Sequence, residues 1–154
     1  MDKGLLGSKT IVQIAIMVHD IEATAKKYAE FLGIDYSTIR FSETDGLDKA
    51  QTLYRGKPSE ARARLAFINV NEGLDLELIQ PDEKPSVWRE FLDEKGEGPH
   101  HIAFVIKDTK GKIKRLAETG IDLIQSGEFT GGRYAYFDTE NWLKIAVETL
   151  EFDN

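Results

Sequence analysis

The chain has 154 residues, 41% hydrophobic and 31% charged, so it is large enough to bury a core of its own and too apolar to stay disordered. It has no cysteine, which excludes disulfides, thiolate metal sites and a cysteine nucleophile and leaves His, carboxylate or amide groups as ligands for any metal. A formal charge of −7 opposes general attraction to nucleic-acid phosphates, residues 1–9 carry no apolar leader stretch, and no run approaches the ~18 apolar residues of a membrane span. The expectation is a cytoplasmic protein with neither nucleic acid nor membrane as a partner.

In chain order, an apolar strand over residues 12–19 ends at Asp20, whose carboxylate suits a helix N-cap. Ile21, Ala25, Tyr28, Ala29 and Leu32 then recur at helical spacing up to Gly33. Residues 37–56 are polar and predict a loop with one strand, followed by strands over 63–70 and 74–80. Residues 81–85 read as a connection, and a short helix over 86–95 has Trp88, Phe91 and Leu92 on its apolar side. A second strand then runs over 100–107 to Asp108, with a weaker helical pattern at Ile113, Leu116 and Ala117 before Gly120. Strands over 122–125, 133–138 and 144–150 complete the chain.

The two halves repeat. Residues 12–20 align with 100–108 at an offset of 88, keeping the Ile-Ala pair and the final Asp, and Gly33-Ile34-Asp35 aligns with Gly120-Ile121-Asp122. The fold expected is α+β, a single domain over 1–154 made of two tandem βαβββ modules, about 9–80 and 99–151 with a linker at 81–98. Together they form a concave mixed sheet around a central cavity.

Alternation along the strands assigns the chemistry to one face. Val12, Ile14, Ile16 and Val18 are bulky where Gln13, Ala15 and Met17 are smaller or polar, and Ile102, Phe104 and Ile106 stand likewise against His101, Ala103 and Val105. The bulky side should pack on helices, leaving Gln13 and His101 at equivalent positions over the concavity. Glu77 and Glu148 are single acids in otherwise apolar strands, a costly placement unless each is paired or bound to metal. Four donors, two from each half, therefore converge. The plainer alternatives are a satisfied edge glutamine for Gln13 and an exposed acid near the C-terminus for Glu148. Adjacent residues of a regular strand face opposite ways, so His100 reads as structural, as does His19 at a strand end.

Gly96-Glu97-Gly98-Pro99-His100-His101-Ile102-Ala103-Phe104 resembles the Gly-x-Gly-x-His-His-Ile-x-Phe segment of methylmalonyl-CoA epimerases, and Leu76-Glu77-Leu78-Ile79-Gln80-Pro81 is similar to their Leu-Glu-Leu-x-x-Pro strand. These are members of the vicinal oxygen chelate superfamily, which also holds glyoxalase I. The resemblance implies one divalent metal ion (Zn, Mn, Co or Ni) on Gln13, Glu77, His101 and Glu148, with Gln13 where the family normally has histidine. The hard oxygen donors tilt that set toward manganese. It also implies proton abstraction next to a carbonyl, giving an enolate that the metal stabilises, with Glu148 as base and Glu60 as second acid/base. The match at Glu60 is partial, since Arg62 and Ala63 replace the family's Gly-Val; an exposed acid beside Arg62 is the other reading. Arg55, Lys57, Arg62, Arg64 and Arg133 form the basic concentration of the chain and predict a small anionic carbonyl substrate, or else only balance charge on solvated loops. Tyr134 and Tyr136 share a strand face and either offer hydroxyls to a ligand or pack in the core.

Three functions fit these residues: an epimerase-like isomerase or lyase acting on a carbon acid, a lactoylglutathione lyase (glyoxalase I)-like enzyme, and a non-catalytic binder like the bleomycin resistance proteins. An extradiol dioxygenase needs two histidines and a glutamate around iron, and Gln13 removes one histidine. By analogy with the superfamily, a homodimer is expected.

Overall fold

The computed structural model describes residues 3–154. Met1 and Asp2, the start of the segment read as lacking a leader, lie outside the described residues. β1 (Ile11–Met17) leads into α1 (Ile21–Leu32), then β2 (Arg40–Glu43), α2 (Leu47–Ala50), β3 (Leu53–Tyr54), β4 (Lys57–Pro58), β5 (Ala63–Asn71) and β6 (Leu74–Pro81). After α3 (Val87–Lys95) come β7 (Gly98–Val105), α4 (Thr109–Glu118), β8 (Leu123–Phe129), β9 (Gly132–Phe137), α5 (Glu140–Leu143) and β10 (Ala146–Phe152). No helix among the described residues is long and apolar enough to cross a membrane.

The expected caps form. Asp20 accepts from the Ala23 amide at 3.0 Å and Asp108 from the Gly111 amide at 3.1 Å. Gly33 closes α1 in the left-handed region at φ 68°, where a Cβ would cost energy.

All ten strands join one mixed sheet, curled into a half-barrel, in the order β2-β5-β6-β1-β7-β10-β9-β8-β3-β4. The repeat is visible in its register. β1 runs parallel to β6 with Ala15 beside Glu77, β7 runs parallel to β10 with Ala103 beside Glu148, and the two halves meet along antiparallel β1 and β7.

Residues 37–56 hold more than the loop and one strand expected. A 3-10 turn, β2, α2 and β3 lie there, and the β3–β4 hairpin crosses over to extend the second half at β8. Tyr54, whose hydroxyl bonds Glu90 of α3, and Arg55, 2.8 Å from the same carboxylate, pin that hairpin down.

Helices cover both faces. α1 buries Ile21, Ala25 and Ala29 against Ala66, Ile68 and Leu78, and α4 buries Leu116 against Ala135 and Phe137, both on the outer side. The inner side is not left open: α3 packs Val87, Trp88 and Leu92 onto Ala15, Met17, Ile79 and Ala103. Small residues at Ala15 and Ala103 make room for it.

Fully buried Gln125 anchors α3, accepting from the Val87 amide at 2.9 Å and donating to the Tyr134 hydroxyl at 3.1 Å. Gln125→Leu strands the Val87 amide in the interior and takes a donor from the Tyr134 hydroxyl, which keeps Thr52, and we expect a loss of about 1–3 kcal/mol in urea unfolding. A loss under about 0.5 kcal/mol would show that the anchor contributes little.

Glu151 ties β10 to the start of α4, accepting from the amides of Asp108 and Thr109 at 3.0 Å and from the Thr109 hydroxyl at 2.5 Å. These bonds hold its carboxyl at about 2, below an ordinary value of 4.5. A depressed carboxyl stabilises the fold above its unfolded value, and that contribution disappears as pH falls through the folded one. For a half-buried group we expect Glu151→Gln to cost about 1–2 kcal/mol at pH 7, a difference that vanishes near pH 2. A pH-independent difference would assign the effect to packing.

Candidate metal centre

Three strands bring together the acids and the histidine singled out from the sequence. Glu77 on β6, His101 on β7 and Glu148 on β10 each offer a ligand atom within 4.8 Å of the others, and all three side chains are buried. The His101 Nε2 lies 3.0 Å from Glu148 Oε2 and 3.6 Å from Glu77 Oε1. These are ion-pair contacts that fall short of hydrogen-bond geometry. Among the described residues, Glu77 Oε1, His101 Nε2 and Glu148 Oε2 have no hydrogen-bond partner.

Three unpartnered polar atoms at one buried point are costly unless something binds them. One nitrogen and two carboxylate oxygens suit a divalent transition ion, so these residues fit the metal that the sequence implied.

The charges of the group report the same strain. Burial opposes a charge on His101, but Glu148 and Glu77 outweigh it and push the imidazole up to about 9. Burial also raises the Glu77 carboxyl; His101 works against this and the charge of Glu148 adds to it.

Glu77 and Glu148 line a cavity of ≈ 560 Å³, with Gln13, Phe67, Trp88 and Tyr136 also in its wall, and fully buried His101 lies behind the two carboxylates. Gln13 thus reaches the same cavity from β1, at the position that corresponds to His101 in the other half. Tyr136 also lines it and accepts a hydrogen bond from Trp88 Nε1 at 2.9 Å, so its hydroxyl is a fixed part of the wall. Burial pushes that phenol well up and the Tyr134 phenol up to about 12, so both stay neutral donors.

Other candidate residues lie apart from the triad. Glu60 does not line this cavity: its side chain is 71% exposed, 3.5 Å from Lys84, on a separate groove beside Pro85. Glu60 stands in the loop before β5, seven positions short of Phe67, the residue opposite Glu77.

The basic residues are elsewhere too. Arg55 pairs with Glu90, Arg62 with Glu43, Arg64 with Glu22 and Arg133 with Glu128 and Asp153, and none of these arginines, nor Lys57, lines the cavity. Arg40 is the one basic side chain among the lining residues, and Asp75 holds it at 2.7 Å. The other four arginines are engaged in ion pairs and so do not line the cavity with positive charge.

Strand alternation turns His100 away from the face of His101, and a local irregularity of the sheet overrides it. The β1–β7 register passes from Ala15↔His101 to Ile16↔Pro99 and skips His100, a β-bulge that resets the facing. His100 is buried beside His101, the two Nδ1 atoms 2.8 Å apart, and burial drives its imidazole well down. The wall contributed by Trp88 was also missed, since nothing in an amphipathic pattern says which face of a sheet a helix will cover.

The half-barrel and its buried acid-histidine centre define a class. A family model described as the Glyoxalase/Bleomycin resistance protein/Dioxygenase superfamily matches residues 12–137, and the chain belongs to that superfamily.

Solved structures agree in fold. The methylmalonyl-CoA epimerase of Mycobacterium tuberculosis superposes with a TM-score of 0.68 at 21% identity, covering 100% of this chain and 93% of that one. The Streptomyces coelicolor methylmalonyl-CoA epimerase, in a variant complexed with 2-nitronate-propionyl-CoA, gives 0.63 at 20% identity over 96% and 99%. Among curated proteins, the uncharacterized protein YqjC of Bacillus subtilis (strain 168) is 32% identical over 72 residues. That match spans 47% of this chain and about half, 51%, of the relative.

Proposed function

We propose that this chain is a divalent-metal-dependent isomerase or lyase that removes a proton from the carbon next to a carbonyl, in the manner of an epimerase. The observation that carries the reading is the cluster of three buried atoms on Glu77, His101 and Glu148 that lack hydrogen-bond partners among the described residues, two of whose residues line the cavity. A non-catalytic binder of small molecules would have no need of two buried carboxylates facing one histidine. The relatedness of fold to methylmalonyl-CoA epimerases supports the same reading.

Gln13, Glu77, His101 and Glu148 would hold the ion. Bound there, a divalent ion supplies Lewis acidity toward a carbonyl oxygen, which makes the neighbouring carbon acid easier to ionise. The chain's residues do the rest. Glu148 takes the proton as a carboxylate, the neutral hydroxyls of Tyr134 and Tyr136 orient polar groups, and Phe67, Trp88 and Phe129 exclude water. The substrate is a small carbonyl compound, and we take the protomers to pair as a homodimer, as members of this superfamily commonly do. The test is exchange of the carbon-bound proton in deuterated water over a panel of acyl thioesters and 2-oxo compounds, with Mn2+, Co2+, Ni2+ or Zn2+ supplied. Exchange that needs the metal supports the reading; none on any member of the panel removes it.

A further inference from the structure

The sheet carries two bulges, and they are related by the internal repeat. Along β1–β7 the register skips Val12 between Ile11↔Phe104 and Gln13↔Ala103, and it skips His100 between Ala15↔His101 and Ile16↔Pro99. Residues 12 and 100 stand at the same offset as Gln13 and His101. Each bulged residue therefore sits directly behind a candidate ligand, turned toward the side that α3 covers.

What occupies the two bulges differs in a way that follows the ligand. Behind Gln13 is Val12, packed in the apolar cluster under α3. An amide oxygen has one way to ligate and needs nothing to set its protonation. Behind His101 is His100, its Nδ1 2.8 Å from His101 Nδ1 and its ring edge-on to Phe91 with centroids 5.0 Å apart. An imidazole can ligate through Nε2 only if its other nitrogen carries the proton, and a buried Nδ1–H needs an acceptor.

Of the two nitrogens 2.8 Å apart, one must donate and the other accept. Were His100 the donor, neutral His101 would carry its proton on Nε2, the atom that faces Glu77 and Glu148, and would have no lone pair there. The reverse arrangement leaves His100 with its proton on Nε2. That nitrogen has no protein partner among the described residues, and the ring borders a separate cavity of ≈ 110 Å³ between α3 and β9 where water can accept.

We propose that His100 is a positioning residue whose Nδ1 accepts a hydrogen bond from Nδ1–H of His101, fixing the tautomer that leaves His101 Nε2 free to ligate a divalent ion. This rests on the reading of the triad as a metal centre.

Zn2+ titration of the full chain by competition with a chromogenic chelator tests it. His100→Leu is expected to weaken Zn2+ binding by about 10–100-fold, and His100→Asn, whose side-chain oxygen is an acceptor close to the place of Nδ1, to recover most of that loss. Equal affinity in wild type and both variants would overturn the proposal, and so would equal weakening in both, which would mean that packing and not an acceptor matters. No Zn2+ binding by the wild type would remove the metal reading and this proposal together, an outcome distinct from the other two. Should the leucine variant fail to fold, long-range proton–nitrogen NMR of the Zn2+-loaded wild type decides. A proton on His101 Nδ1 and on His100 Nε2 is expected; a proton on His100 Nδ1 overturns the assignment.

Discussion

Purified without a histidine tag and supplied with manganese, cobalt, nickel or zinc, the chain is expected to retain about one divalent ion per molecule, and His101→Ala and Glu148→Ala to retain none. The size of the effect follows from burial. Three ligand atoms within 4.8 Å of one another have no other partners, so an ion gains contacts that the fold does not otherwise provide. Removing His101 takes away the sole nitrogen and leaves Glu77 and Glu148 facing each other across a buried space, where like charges repel. Removing Glu148 leaves one carboxylate, one imidazole and the weakly ligating Gln13 amide, a set too weak for tight binding. Binding only to the folded state also stabilises it: at a thousandfold excess over Kd the gain is about 4 kcal/mol, or roughly 10 °C in Tm for a chain of this size. Elemental analysis and a thermal scan with and without ion check both statements. A wild type that takes up none of the four ions would leave the triad as a buried ion-paired group and make a small-molecule binder the leading reading.

The second large effect concerns Glu148 as base. On a substrate identified by the proton-exchange screen, Glu148→Gln at saturating metal is expected to slow exchange by about 10²–10⁴-fold, mainly in kcat. The amide is close in shape and keeps an oxygen that can still ligate, so the loss isolates the proton transfer. Glu60→Gln is expected to behave as wild type, because its carboxylate is exposed and outside the cavity. Wild-type exchange in Glu148→Gln would end the base assignment. A large loss in Glu60→Gln would show that the loop before β5 closes over the substrate.

Much of the centre was legible because its signals are local. An isolated acid inside an apolar strand, as at Glu77 in Leu76-Glu77-Leu78, is an energetic anomaly whatever surrounds it, and so is Glu148 after Val147. The repeat told which strands would be related, and the structure places Glu77 beside Ala15 and Glu148 beside Ala103 in matching parallel pairs. Asp20 and Asp108 were readable as caps since a carboxylate and the next few amides are neighbours in the chain.

By itself, then, the sequence determined the α+β half-barrel of two related halves, the identity of its helix caps, and the three strands that carry a buried acid or histidine. Tertiary structure alone decided four things. The β3–β4 hairpin joined the far half, α3 covered the inner face, Glu60, Arg55, Arg62, Arg64 and Arg133 were drawn into ion pairs instead of lining the cavity, and the bulge at His100 set its ring against His101. Periodicity is a property of neighbours along one strand, whereas a bulge is defined by what the partner strand leaves unpaired. An ion pair likewise depends on which distant carboxylate the fold brings within reach, as Glu90 is brought to Arg55.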